Sequence, residues 1–483
     1  MSSTFRGVLR LLAVMLTVAV SITVSGCAAA VGPAYHPSQT ATPAAWVGTV
    51  PETATENVAD MAHWWSVFHD PILESLVKQA IASNLNLKLA ESRIRQARAA
   101  RSAAAAGLGP AVSANSSFTR SRTSPGGNST SKTYGATDGT LSSQYQAGFD
   151  ASWELDIFGG VRRNVEAANA DLQASIESRR DVLVTLAAET AVDYIDLRAC
   201  QQQIFIAREN LLAQQRTAEL TQKLFKTGFS SALDVANANA QTATTAAQIP
   251  VLETLARQYI YSLSLLIGRE PGALMTELTP PSGIPAAAPS VPVGIPADLL
   301  RQRPDIRMAE AQIHAATARI GVATADLFPK FTLSGAAGFM NNDFTSWLDW
   351  VNRFWSFGPS ASWQIFDTGK TRANIEQQKA LEEQSVITYQ QTVLTALQEV
   401  ENALISSTKE YERRKALTDA VTANRKAVNL AIRLYSDGQT DFLNVLQSQR
   451  SLYTSEDALA QSSRNVSTNL VALYKAVGGG WEN

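Results

Sequence analysis

The sequence predicts a mainly α chain with a membrane β-barrel portion, organised as an internal tandem duplication. Three observations carry that reading. First, "NLNLKLAE" at 84–91 aligns with "RPDIRMAE" at 303–310. Pro110 aligns with Pro329 at the same shift of 219, and from Trp153 onward the shift is 210: Trp153 with Trp363, Gly159 with Gly369, Glu189 with Glu399, Ile267-Gly268 with Val477-Gly478. Second, each half holds a long stretch free of proline and internal glycine, with apolar residues at seven-residue steps. Third, each half holds two short stretches of strict period two, with one apolar and one polar or small-residue face.

In chain order, the N-terminus carries Arg6 and Arg10, an apolar run at 11–24, and "VSGCA". At about 14 residues the run is short for a bilayer span, and its basic flank and small-residue exit read as an export signal over 1–26. Val24-Ser25-Gly26-Cys27 resembles the bacterial lipobox, whose cysteine is acylated and becomes the mature N-terminus; Ala28 after it, in place of Asp, implies sorting to the outer membrane. Residues 27–69 would then form a lipid-anchored segment. Cys200 would remain as the mature chain's other cysteine, which excludes an intrachain disulfide, and its helix-forming neighbours make it a packing residue.

The first repeat, 70–278, and the second, 297–483, are separated by the proline-rich linker 279–296. The change of shift between them falls in the Ser/Thr/Gly/Asn-rich segment 121–139, read as a loop that is longer in the first half; the Asn128-Ser129-Thr130 sequon lies in it as polar loop. Strands are expected at 112–121, 143–155, 331–340 and 357–366. Transmembrane strands need about 9 to 11 residues, and these lengths suit. On the second strand Tyr145, Phe149 and Trp153 share one face and Asp150 and Glu154 the other, with Asp156 near its end. Four strands cannot close a barrel, and unpaired edges are not tolerated in lipid, so a membrane barrel would have to be shared by several chains.

After Gly159-Gly160 a helix is expected to run to Lys226, about 67 residues or roughly 100 Å. Its seven-residue series is Ile176, Leu183, Thr190, Leu197, Ile204, Leu211, Ala218 and Phe225. The second half repeats it as Val386, Val393, Val400, Ser407, Arg414, Val421, Val428 and Tyr435. Heptads over this length specify helices coiled on neighbours. Each helix turns at a glycine, Gly228 or Gly438, and another returns over 232–267 or 441–477.

The chemistry of an enzyme is missing from the sequence. His36, His63, His69 and His314 lack metal-ligand spacing, and no nucleophile elbow, phosphate loop or dinucleotide fingerprint is present. A net charge of -2 gives no footprint for nucleic acid, and Glu382-Glu383 lie on a charged helix surface. We expect no enzyme, cofactor or metal.

"WWSVFHDP" (64–71), "WELDIFGGVR" (153–162), "GIPADLLRQRPDI" (294–306), "LFPKFTLSG" (327–335), "LYSDGQTDFLNVLQSQRSLY" (434–453) and "LYKAVGGGW" (473–481) together resemble the outer-membrane factors of tripartite efflux pumps, TolC-like and OprM-like, in particular the NodT lipoprotein subgroup. The resemblance implies a homotrimer with a twelve-stranded barrel, four strands per chain, continued by a periplasmic helical barrel. It also implies a periplasmic membrane-fusion adaptor, an inner-membrane pump of the RND type, and passive export of drugs or other small toxic compounds through a Gram-negative outer membrane. Alternatives are a type I-like protein or peptide export channel, or a trimeric surface stalk or adhesin. On this reading Cys27 carries the lipid, Asp150 and Glu154 face the lumen, and Lys226, Gly228, Asp437 and Gly438 form adaptor-contacting tips; for the glycines a role as helix stops competes. The periplasmic gate involves Tyr435, Asp234, Asn444 and Asp441, with heptad packing as the competing role for Tyr435. Thr440 stands where TolC itself carries a linking arginine, so that salt bridge is missing.

Overall fold

The computed structural model describes residues 30–37, 43–47, 58–122, 141–286 and 302–481. The signal segment with Cys27, the polar loop with its sequon and much of the proline-rich linker lie outside the described residues. The helices are α1 (Pro71–Ser83), α2 (Leu85–Ala106), α3 (Gly160–Lys226), α4 (Ala232–Leu266), α5 (Pro304–Ala325), α6 (Lys370–Ser436) and α7 (Phe442–Val477). The strands are β1 (Ala111–Arg122), β2 (Leu141–Leu155), β3 (Lys330–Asn341) and β4 (Arg353–Ser362). The chain forms two compact units, one built around 95–173 and 310–387, the other around 174–309 and 388–481 with α1 and most of the segments beside it.

The first unit holds one antiparallel meander in the order β1-β2-β3-β4, so the two halves of the duplication meet at β2 and β3. Trp153 Nε1 donates to the carbonyl of Leu108 at 2.9 Å, and its repeat partner Trp363 donates to Leu327 at 3.0 Å. The fourth strand starts earlier than its alternation suggests and stops at Ser362, so Trp363, Ile365 and Phe366 lie beyond it. Its loop-side residues Arg353, Phe354 and Trp355 are claimed instead by cross-strand partners Phe339, Gly338 and Ala337, a long-range pairing that the alternation within one strand does not encode.

In the second unit a core forms around Trp64, Leu73, Leu76, Tyr194, Ile195, Leu197, Val400, Leu470 and Tyr474. Trp64 is 1% exposed and stacks on Tyr474 at 5.4 Å. Asp70 caps α1 through the amides of Ile72 and Leu73, with Pro71 at the first turn, and accepts from Tyr194 Oη at 2.8 Å. The duplication recurs in atoms. Asn84 Nδ2 donates to the carbonyl of Leu266 at 2.8 Å, and Arg303, its partner by repeat, donates to Ala476 at 2.8 Å. Cys200 packs as expected, its Sγ donating to the carbonyl of Leu252, and burial pushes its thiol up to about 11.

The long helices end as the glycines dictate. Gly228 (φ +83°) and Gly438 (φ +69°) take the left-handed conformation. The N–H of Phe229 reaches Leu224 and that of Gly228 reaches Phe225; Gln439 and Gly438 repeat this onto Leu434 and Tyr435. These pairs are Schellman closures that satisfy the last carbonyls. The heptad series behaves differently in the two halves. In α6, Val393, Val400, Ser407, Val421, Val428 and Tyr435 are all buried, whereas in α3 Leu183, Thr190 and Leu197 are buried but Phe225 is exposed. The buried seam of lower α3 moves to Ala207, Asn210, Gln214, Thr217 and Thr221. A straight helix drifts about 20° per heptad against a fixed seven-residue position, and bonds from Asn210 to Glu456 and between Thr217 and Gln449 satisfy two of the new polar positions, while the buried Gln214 amide finds no partner among the described residues.

Candidate functional site

Three places carry the geometry that the sequence points to: the two faces of the sheet, the turns that end the long helices, and the docking of the N-terminal segment.

Cross-strand register sorts the sheet into two faces, since directly paired residues lie on the same side. One face collects Val112, Phe118, Tyr145, Phe149, Trp153, Phe331, Leu333, Phe339, Trp355 and Phe357. The exposure of these aromatics, 64% for Phe149 and 77% for Trp355, leaves an uncovered apolar surface. The other face collects Ser113, Asn115, Gln146, Asp150, Ser152, Glu154, Ser334, Ser356 and Ser360. Asp150 and Glu154 are both exposed on it, and Asn115 Nδ2 donates to Asp150 at 2.5 Å. Asp156 is engaged elsewhere: it caps α3 through the amides of Val161 and Arg162 and pairs with the Arg162 guanidinium. On this face Gly148 opposes Gly338, and a Cβ on Gly338 would stand 2.3 Å from the carbonyl of Ala147. Only glycine lets β2 and β3 approach so closely there.

At the turns, Tyr435 is 5% exposed, packed with Phe442, Val445, Leu446 and Ala238. Its hydroxyl lies 3.2 Å from Ser230 Oγ and 3.4 Å from Thr221 Oγ1. Ser230 in turn donates to Asp234 Oδ2 at 3.0 Å, so Tyr435 reaches Asp234 through a serine rather than directly. Asp234 also closes a capping box with Ser231. Burial works against its charge, yet the Ser231 amide and the hydroxyls of Ser231 and Ser230 outweigh that and hold its carboxyl below the usual carboxylate value. Asn444, its repeat partner, donates to Thr440 Oγ1 at 2.8 Å, and Asp441 occupies the α7 cap position without a side-chain capping bond. Lys226 and Asp437 are exposed beside Gly228 and Gly438, and a Cβ added at either glycine would meet nothing within 4 Å. Phe229, Leu233 and Leu443 are exposed at the same turns.

The segment 30–36 is held tightly. Val31 donates its amide to Phe158, and the Arg163 guanidinium reaches the carbonyls of Ala30, Val31 and Gly32. Arg163 also pairs with Glu166, which bonds His314 at 3.0 Å; Tyr35 stacks on His314 at 4.3 Å. Gly32 lies against Gly321, where a Cβ would stand 2.5 Å from backbone.

The family model for outer membrane efflux protein matches residues 76–269 and 295–479, one segment in each half. The chain belongs to the outer membrane efflux protein family. Nodulation protein T of Rhizobium leguminosarum bv. trifolii is 33% identical over 95% of this chain and 96% of its own length. The toluene efflux pump outer membrane protein TtgC of Pseudomonas putida is 32% identical over 93% and 89%. The solved outer-membrane channel OprN superposes with a TM-score of 0.86 at 36% identity, over 94% of this chain and all of that one. The resemblance seen in the sequence is therefore correct, and the chain is an outer-membrane efflux channel, from a transport family rather than an enzyme family.

Two features of this efflux channel escaped the sequence reading. One is the Arg163 clamp, for which an arginine just inside α3 offers no periodic signal. The other is a polar ladder between α3 and α7: Asp196 with Arg464, Gln203 with Asp457, Asn210 with Glu456 and Thr217 with Gln449. Its α3 members stand seven residues apart, so a search for polar rather than apolar heptads would have found it.

Proposed function

We propose that three copies of this chain close a twelve-stranded barrel and a continuous helical conduit, through which an inner-membrane pump of the RND type, joined by a periplasmic adaptor, exports small toxic compounds. The observation that carries this reading is the open meander: among the described residues β1 and β4 are unpaired on their outer edges, and one face is apolar and uncovered. Edges of that kind are viable in lipid only when another copy pairs with them. Exposed Phe205, Leu212, Val251, Leu265 and Leu394 on the long helices support contacts between copies. The apolar face meets lipid, and Asp150 and Glu154 line the lumen. Cys27, three residues before the clamped Ala30, carries the lipid anchor. Lys226, Gly228, Asp437 and Gly438 meet the adaptor, and Tyr435, Ser230 and Asp234 help to hold the tip closed, with Asn444 and Asp441 beside them.

For the cargo, relatives named for toluene efflux and for pyoverdine export favour small molecules over folded protein. Purified protein in a planar bilayer should give discrete single-channel conductance as a trimer. Absence of conductance from a correctly inserted trimer would overturn the conduit. Deletion of the gene should sensitise cells to some of a panel of antibiotics, dyes, solvents and metals, and unchanged sensitivity alongside lost peptide secretion would move the cargo to peptides.

A further inference from the structure

The apolar face of the sheet differs at its two ends. At the helix side it carries Val112, Trp153, Leu155, Phe331 and Leu333, with no basic residue. At the loop side Phe118 stacks on Tyr145 at 4.7 Å, and Arg120 and Arg122 continue β1 on the same face. The row inward of that aromatic pair is Ser116, Ala147, Phe339, Arg353, and the next is Ala114, Phe149, Ala337, Trp355. Small residues make a floor and the aromatics stand around it, giving a groove of about 720 Å³ lined also by Trp350 and Arg353. The Arg353 guanidinium lies 4.6 Å over the Trp350 ring and donates to that residue's carbonyl. Among the described residues no carboxylate pairs with Arg120, Arg122 or Arg353.

A cation on a lipid-facing strand is costly unless it reaches an interface or an anion. Its confinement to one end of the apolar face points to a charge difference between the two leaflets, and its place at the mouth of an aromatic groove points to a ligand with both a chain and an anionic head. We propose that the groove binds the phosphorylated glycolipid of the outer leaflet, with an acyl chain on the Ala114, Ala147 and Ala337 floor. Arg353 meets one of its phosphates, and Arg120 and Arg122 lie beyond. Planar guanidinium is suited to bidentate phosphate contact. The inference rests on the proposed lipid-facing assignment of this face.

The test uses the full-length trimer in nanodiscs of phosphatidylethanolamine containing either lipid A or phosphatidylglycerol, with lipid retained through a detergent wash measured by mass spectrometry. Lipid A should be retained selectively. Arg353→Gln should reduce that retention roughly tenfold, the scale of one lost charge-assisted bond, and Arg353→Lys should restore part of it. Ala337→Phe, which fills the floor and leaves the charges in place, should also reduce it. Equal retention by wild type and Arg353→Gln, or equal retention of phosphatidylglycerol and lipid A, overturns the site. Brominated phosphatidylethanolamine distinguishes loss of the binding site from a wrong facing of the sheet. If it quenches wild type more than Trp355→Phe, the face meets lipid and only the site is at stake; equal quenching overturns the facing assignment and the site with it.

Discussion

Tyr435 combines a packing ring with a hydroxyl that joins a polar path. Its ring is buried among Phe442, Val445 and Leu446, which is a packing role, while its hydroxyl points along a path through Ser230 to the carboxylate of Asp234. Tyr435→Phe keeps the ring and should cost about 0.5 to 1.5 kcal/mol of tip stability, read as higher resting conductance and sensitivity to large antibiotics. Because the hydroxyls are linked in series, Tyr435→Phe and Ser230→Ala should be less than additive in combination. Full additivity, or conductance that changes only in Tyr435→Ala, would assign the residue to packing. The Asp234 carboxyl titrates below its usual value, so its stabilisation is complete above the unfolded value and is lost as pH falls through the lower folded value. Closing of the tip should therefore be unchanged from neutral pH down to the ordinary carboxylate range and weaken only below it, and Asp234→Asn should remove that acid step from a conductance titration. The resemblance pointed to Tyr435 and Asp234, but Ser230 between them could not be read from the sequence, because a serine beside a capping box looks like turn chemistry.

At the scale of elements, the agreement between sequence and structure follows the range of the forces involved. The ends of α3 and α6 were readable because Gly159, Gly228, Gly369 and Gly438 set local backbone, and each takes a positive φ. The limits of β4 were not, because its loop-side residues are recruited by partners on β3. The lower seam of α3 was hidden for a related reason: most of its buried residues are polar, and Asn210 and Thr217 find their partners Glu456 and Gln449 on α7, far away in sequence. A ladder of hydrogen bonds and one ion pair in place of an apolar zipper leaves those helices able to exchange partners with water: the neutral Thr217–Gln449 bond is worth about 1 kcal/mol net, and the bonds to Asp457 and Glu456 roughly twice that. Replacing Thr217 and Gln449 together by Val and Leu should raise the thermal midpoint and lower the fraction of open channels under assembly with the pump. Unchanged gating in a stabilised double variant would show that the ladder serves packing alone. The glycine turns offer a separate test. Gly438→Ala should cost roughly 1 to 2 kcal/mol from the left-handed backbone alone, whereas Lys226→Glu and Asp437→Lys should weaken adaptor crosslinking with no loss of trimer stability. If both charge variants crosslink normally, the turns are helix stops and nothing more.

For the whole molecule, the duplication is what makes a shared barrel economical. Each half supplies one hairpin and one pair of long helices, so three chains repeat the same unit six times around the conduit. The halves differ on the polar face of the sheet: Asp150 aligns with Ser360 and Glu154 with Gln364. The acids therefore occur once per chain on the polar face of β2, and the trimer presents Asp150 and Glu154 in threefold rings. Asp156 does not join them, since it is spent on the α3 amides and Arg162. Rings of exposed carboxylates attract cations over roughly a Debye length, about 10 Å at 0.1 M salt and about 30 Å at 0.01 M. The open pore should consequently prefer cations, and the preference should grow as salt is lowered. Asp150→Asn with Glu154→Gln should bring the reversal potential in a KCl gradient close to zero while leaving trimer and conductance in place. Glu154→Gln alone should shift it less if both rings contribute, and Asp156→Asn should instead destabilise the start of α3. A reversal potential unmoved by the double variant would put the acids on the wrong face and, with them, the assignment of lumen and lipid sides to the sheet.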